Sequence, residues 1–316
     1  MEFKRIDEKI YEKDKFSQPS DEVFRYDKRN KEETYGRHSH NSLFLKRAFW
    51  SEDVHIREML GYLLAKACGI NACETELAIY PTIRDRYENA VISYEECSSD
   101  ETTILPINIV KTYRKKVGII QENNWILDVE SVLNTVFERI RTNGRPMSEY
   151  DKFLQDFIDM MIFDIRFVNS DRDHKNWLLR ENKKTGEISM YPLYDNASVL
   201  ASENLEDSEH LTQEQAEEMS RTHPLSILLF QDFMAGKRET NYQDMFKYLM
   251  RKYPEQTKKS LEKVSRVDEK LLGELIDSIP GFDDNKKDQL IKIFNARGRQ
   301  MEELIAELNK EQSIIK

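Results

Sequence analysis

An almost continuously apolar run, Tyr150 to Phe167, ends in the polar loop Asn169-Ser170-Asp171-Arg172-Asp173-His174-Lys175-Asn176-Trp177, and this junction restricts the fold more than any other stretch. Phe153, Leu154, Phe157, Met160, Met161, Phe163 and Ile165 predict a central buried helix. A buried helix that delivers a charged loop is hard to explain by packing alone, because loops held on rigid elements are where binding and chemistry concentrate. Two strand candidates follow, Trp177-Leu178-Leu179 and Ile188-Ser189-Met190-Tyr191, on either side of Glu181 to Glu187, where Gly186 permits a positive φ. If they pair about that turn, Asn176 and Asp195 meet from its opposite ends.

That meeting carries a chemical argument. An Asn amide and an Asp carboxylate suit two oxygen ligands of Mg²⁺ bridging phosphates. Asp171, one tight loop earlier, is placed to orient an attacking hydroxyl and accept its proton. A turn rich in Asp and Asn often satisfies only its own backbone, and a single Asp would be read that way; the set of three favours function. Asp171-x-Asp173 begins like an EF-hand loop, but the Gly and terminal Glu that such a loop needs are missing. His174 either contacts phosphate or supports the loop, and both remain open.

The first forty residues are polar and irregular, a ragged strand-and-loop region, and Asn41 to Phe49 then reads as a strand. A helix follows, with Ser51 as cap, Ile56, Leu60, Leu63 and Ala67 on one stripe and Gly69 as stop. Glu74 to Tyr80 and Asn89 to Tyr94 are two more strands, the second ending in the polar link Glu95 to Asp100. Lys46 shares a strand face with Phe44 and Ala48. Glu58 lies off the apolar stripe, on a side with Gly61, Tyr62 and Ala65, small enough in part to let another lobe approach. A Lys on phosphates held by a helix Glu uses this pairing. A solvated Lys and Glu are the commoner outcome for such charges, and Arg47 takes the Lys role if the strand faces are reversed.

From Asp128 onward the pattern is helical, with Ile126 to Ile140 before Gly144 and Pro146, and helices expected over Gln243–Tyr253, Gln256–Ile279 and Asp284–Leu308. Ala201 to Ser220 is acidic and weakly patterned. The expected fold class is α+β and bilobal, with a strand-rich lobe over 1–97 and a helical lobe over 98–316. Acids exceed bases by ten (58 against 48), which disfavours a general nucleic-acid surface. Cys68, Cys73 and Cys97 have no metal-ligand spacing and fit a reduced compartment. The N-terminus has no apolar signal segment and no run reaches membrane-spanning length, so a cytoplasmic protein without membrane contact is expected, a reading that leaves export by a dedicated machine open.

Taken together, "LFLKRAF", "REMLGYLLAKACGI", "AVISYEE", "NSDRDHKNWLL", "YPLYDNAS" and "LIDSIPGFDDNKKDQLIKIFNARGRQM" resemble the HipA-like serine/threonine kinases, especially their shorter CtkA-type members, over most of the chain from about Asn41. The resemblance implies a bilobal kinase fold that uses ATP and Mg²⁺, with Asp171 as base, Asn176 and Asp195 on magnesium, Lys46 on the ATP phosphates and Glu58 positioning it. It also implies an adenine-facing hinge at Tyr94, Glu95 and Glu96, and a protein substrate offering a Ser or Thr hydroxyl, with room for a regulatory partner. Autophosphorylation would have Ser39, Ser42 and Ser198 as candidate acceptors. Two departures stand out. Asp173 occupies the place where the family usually has a His, with His174 following, and choosing Asp173 as base would ruin the five-residue step to Asn176. Before Lys46 there is no Gly-rich phosphate loop, only Tyr35-Gly36-Arg37-His38-Ser39-His40. These departures keep a nucleotide-binding pseudokinase as the alternative, with a lipid or small-molecule kinase as the second. A metal-dependent hydrolase built on His38, His40, Asp171 and His174 lacks helical ligand spacing.

Overall fold

The computed structural model of the 316-residue chain describes residues 11–13, 23–28, 42–47, 53–81, 87–94, 97–116, 128–172, 175–205, 210–222 and 241–314. The strand-rich part holds β1 (Tyr11–Lys13), β2 (Val23–Lys28) and β3 (Ser42–Arg47), then helix α1 (Val54–Cys68), then β4 (Thr75–Pro81) and β5 (Tyr87–Tyr94). These strands form one antiparallel sheet in the order β1-β2-β3-β5-β4. In the register of β3 with β5, Lys46 lies opposite Val91 and Phe44 opposite Ser93. Opposite residues of antiparallel strands share a face, so these four side chains look the same way.

α1 packs under the sheet through Leu60, Leu64, Ala65 and Ile56, all buried. Gly69 stops it at φ 69°, where a glycine has no Cβ to clash. There the Gly69 N–H reaches the Lys66 carbonyl at 3.0 Å and the Ile70 N–H the Ala65 carbonyl at 2.9 Å, a paired closure of the last turn. The N-terminal boundary differs from expectation. Ser51 lies outside the described residues, and Asp53 holds the cap position without a capping bond from its side chain.

The second part begins with β6 (Glu101–Ile104) and α2 (Pro106–Lys116), followed by α3 (Val129–Thr142) and the 20-residue α4 (Met147–Arg166). α4 is the buried helix that its apolar run predicts: Phe153, Phe157, Ile158, Met160, Ile162, Phe163 and Ile165 are almost wholly inaccessible. Each such side chain contributes roughly 2–3 kcal/mol by leaving water. The hairpin after the loop is β7 (Leu179–Asn182) with β8 (Ile188–Met190), Leu179 opposite Met190, and β6 completes a three-stranded sheet on its outer edge. Its first strand starts two residues later than expected, since Trp177 instead buries its ring against Phe157 at a centroid distance of 5.5 Å. The turn is closed by Gly186 at φ 70° and by the Asn182 side chain, which accepts from Lys184 N and Thr185 N.

A 3-10 turn at Val199–Asn204 leads to α5 (Gln213–Thr222), α6 (Tyr242–Lys252), α7 (Pro254–Val264), α8 (Glu269–Asp277) and α9 (Asp284–Ile314). The single helix expected over Gln256–Ile279 is two. Asp268 accepts from Leu271 N at 2.8 Å and caps α8, while Val267 is buried in the corner between them. Helices α5 and α2 arise where the sequence reading saw weak patterning or none. Among the described residues no helix is long and apolar enough to cross a membrane, and the three cysteines are free thiols.

Candidate active site

The loop after α4 is built around one guanidinium. Arg172 is fully buried; its Nε and Nη2 donate to the two carboxylate oxygens of Asp164 at 3.1 Å, and Nη2 also donates to the Asn196 side-chain oxygen. Its Nη1 donates to the Asn176 carbonyl at 2.8 Å and the Tyr194 carbonyl at 2.7 Å. One nitrogen thus joins the residue before the hairpin to the residue before Asp195, and the two ends of the hairpin meet as their pairing requires. Asn169 adds a 2.6 Å bond to Asp164. Burial pushes the Asp164 carboxyl above its ordinary value, although Arg172 and Asn169 oppose this. Burial disfavours the Arg172 cation as well, but Asp164 outweighs it and holds the guanidinium above its usual range.

A cleft of about 610 Å³ lies between the five-stranded sheet and this loop. Lys46, Glu58, Asp171 and Asp195 all line it. Lys46 Nζ stands 2.6 Å from an Asp195 carboxylate oxygen and 4.0 Å from Glu58 Oε2. The other Glu58 oxygen accepts the Asn196 N–H at 3.0 Å, so one α1 side chain contacts both the sheet lysine and the segment beyond Asp195. Gly61, one turn along α1, makes this approach possible: a Cβ there would stand 2.6 Å from the Asn196 carbonyl oxygen. Asp195 itself has φ 53°, a left-handed conformation that Asp tolerates better than most residues.

Charge in the cleft is unevenly balanced. Burial lowers the affinity of the Lys46 amine for its proton, but Glu58 and Asp195 more than compensate, and its pKa is raised. Burial raises the Glu58 carboxyl; Lys46, the Asn196 N–H and Arg172 pull it down, Asp195 pushes it up, and it stays above its ordinary value. Two carboxylates therefore share one ammonium.

Asn176 is not among the residues lining the cleft; its Nδ2 donates to the Asp171 carbonyl at 2.6 Å. The bond holds the backbone of Asp171 and presents the amide oxygen of Asn176 as an acceptor. Tyr94 lines the cleft, with its hydroxyl donating to Glu76 at 2.8 Å. Glu95, Glu96 and His174 lie outside the described residues, as do Ser39, the Tyr35–His40 stretch and the side chains of Arg47 and Ser42. Ser198 is 8 % exposed, which does not present its hydroxyl to an incoming phosphate in this conformation. Arg172, Asp164 and Asn196 form the frame of the site without having been singled out from the sequence, whereas Gly61 is one of the small residues expected to allow a close approach. Among the described residues no group of three or more His, Cys, Asp or Glu could hold a metal.

No protein-family model matches the chain, and no curated protein does. Among solved structures, the crystal structure of the Helicobacter pylori proinflammatory kinase CtkA aligns with a TM-score of 0.64 and 15% identity, over 87% of this chain and 93% of that one. A chain from the Shewanella oneidensis MR-1 HipA–HipB toxin–antitoxin complex with operator DNA aligns over 87% of this chain and 63% of its own, with a TM-score of 0.49 and 13% identity. The α+β, bilobal arrangement expected from the resemblance is the one found, and the chain shares its fold with the kinase CtkA.

Proposed function

We propose that the cleft binds Mg-ATP and transfers its terminal phosphate to a Ser or Thr hydroxyl of a protein. The observation that carries this reading is the convergence of Lys46, Glu58, Asp171 and Asp195 on one cavity, with Lys46 at 2.6 Å from Asp195. The volume suits a nucleotide-sized ligand. Phe44, Val91, Leu178 and Tyr191 offer apolar walls to a base beside the charged groups. Lys46 would hold phosphate oxygens, kept charged by Glu58 and oriented by it. Asp171 would align the acceptor hydroxyl and take its proton. The oxygen donors of Asp195 and Asn176 fit magnesium, which accepts one or two protein oxygens and completes its shell with phosphates and water. Bound there, the metal would supply charge neutralisation at the phosphates.

Incubation of the purified chain with Mg-ATP and a panel of protein acceptors, read by intact mass, tests the reading. Phosphate should appear on an acceptor or on the chain itself, and Asp171→Ala should reduce transfer by about 10³-fold or more. Equal transfer by Asp171→Ala removes it as the base. A thermal shift with ATP but no transfer would favour a nucleotide-binding regulator, and phosphate appearing only on phosphoinositides would favour a lipid kinase.

A further inference from the structure

We infer that Lys286, in the first turn of α9, is a positioning residue for the cleft, acting through Asp53 and Arg57 to hold α1, and with it Glu58, on the helical part of the molecule. Asp53 stands at the cap of α1, where an Asp ordinarily accepts from the first backbone N–H groups; here its side chain makes no such bond. One carboxylate oxygen accepts from Arg57 Nε at 3.0 Å and the other from Lys286 Nζ. Arg57 continues the chain of contacts, donating from Nη1 to the Ala197 carbonyl at 3.1 Å. Glu58, the next residue, takes the N–H of Asn196. Two consecutive side chains of α1 therefore grip two consecutive residues just beyond Asp195. Lys286 and Arg57 are 7 % and 6 % exposed, so little water competes for these contacts.

Other ties run in the same direction. Arg266 Nη1 donates to the Cys68 carbonyl at the far end of α1, and Gly281 lies against Ile56. Against the sheet, α1 packs through Leu60, Leu64 and their apolar neighbours, and apolar contact is non-directional. The directional bonds of Asp53, Arg57 and Cys68 fasten α1 to the helical part of the molecule. In this arrangement Glu58 is held at a fixed place for Lys46 to meet. That differs from a switch in which the helix carrying the Glu swings in and out.

The kinetic part of the test rests on the kinase reading; the exchange part does not. Lys286→Met keeps the length of the side chain and removes its charge. It should speed hydrogen exchange about tenfold in residues 54–61 and 196–202 and leave α4 unchanged, with Lys286→Arg restoring protection. In ATP titrations it should raise KM for ATP about tenfold, and by much less in a Glu58→Gln background, because both changes act through the same contact. Exchange that is unchanged, or faster evenly over the chain, overturns the inference, as does an equal loss in the two backgrounds. A wild type that transfers no phosphate would remove the kinase reading, and the exchange pattern would still decide the role of Lys286.

Discussion

Arg172 shows what a single buried side chain holds in this site. Its planar fork serves Asp164, two carbonyls and Asn196 at once, a geometry that a Lys ammonium cannot reproduce. Arg172→Met should cost about 3–5 kcal/mol, read as a lower urea midpoint, because the buried Asp164 carboxylate loses its cation. Glu58 makes a prediction in pH. Its raised folded value means that the native state favours the protonated form: the stability this lends is present below the ordinary value of 4.5 and is lost as pH rises through the folded value. Glu58→Gln lacks this dependence, so the difference in Tm, variant minus wild type, should grow between pH 4.5 and 7. A constant difference across that range would contradict the direction given for Glu58. The loop itself is legible in the sequence because its residues are neighbours there. The role of Arg172 is not, since its partners at 164, 194 and 196 converge only after the hairpin has paired.

Among the elements, the apolar run of α4 and the Gly-closed hairpin could be read ahead, each being specified by residues within one short window. The break between α7 and α8 could not: Asp268 falls inside a pattern that otherwise continues as helix, and it becomes a cap only because Val267 is drawn into the core. α2 was hidden for a similar reason. Its last turn is tied by the buried pair of Arg114 with Asp128, at 2.6 Å, a partner 14 positions further along the chain. For α1, the small residues beside Glu58 hinted at a close approach, and Gly61 is where it occurs. Gly61→Ala tests that approach. Alanine favours an isolated helix by about 1 kcal/mol, whereas overpacking costs about 1–3 kcal/mol, so the protein should be destabilised on balance. Nucleotide binding, followed by thermal shift, should weaken in parallel as Glu58 and Asn196 are forced apart.

For the whole molecule, the cleft contains its own counter-ion, because the Lys46 ammonium already sits on Asp195. Mg²⁺ alone should therefore raise Tm little, whereas Mg²⁺ with ATP at about 100 times its Kd should add about 2.7 kcal/mol of stability. A full-sized shift with metal alone would show that Lys46 does not guard that carboxylate. Asp53 and Lys286 are 233 positions apart, yet they share one ion pair at the edge of the cleft. As the chain leaves the ribosome, its sheet and α1 emerge long before α9, and domains ordinarily fold in that order. Here the contact of Asp53 with Lys286 forms only when α9 arrives. The contacts that set the cleft thus span both parts of the molecule, and the last of them closes only when α9 has docked.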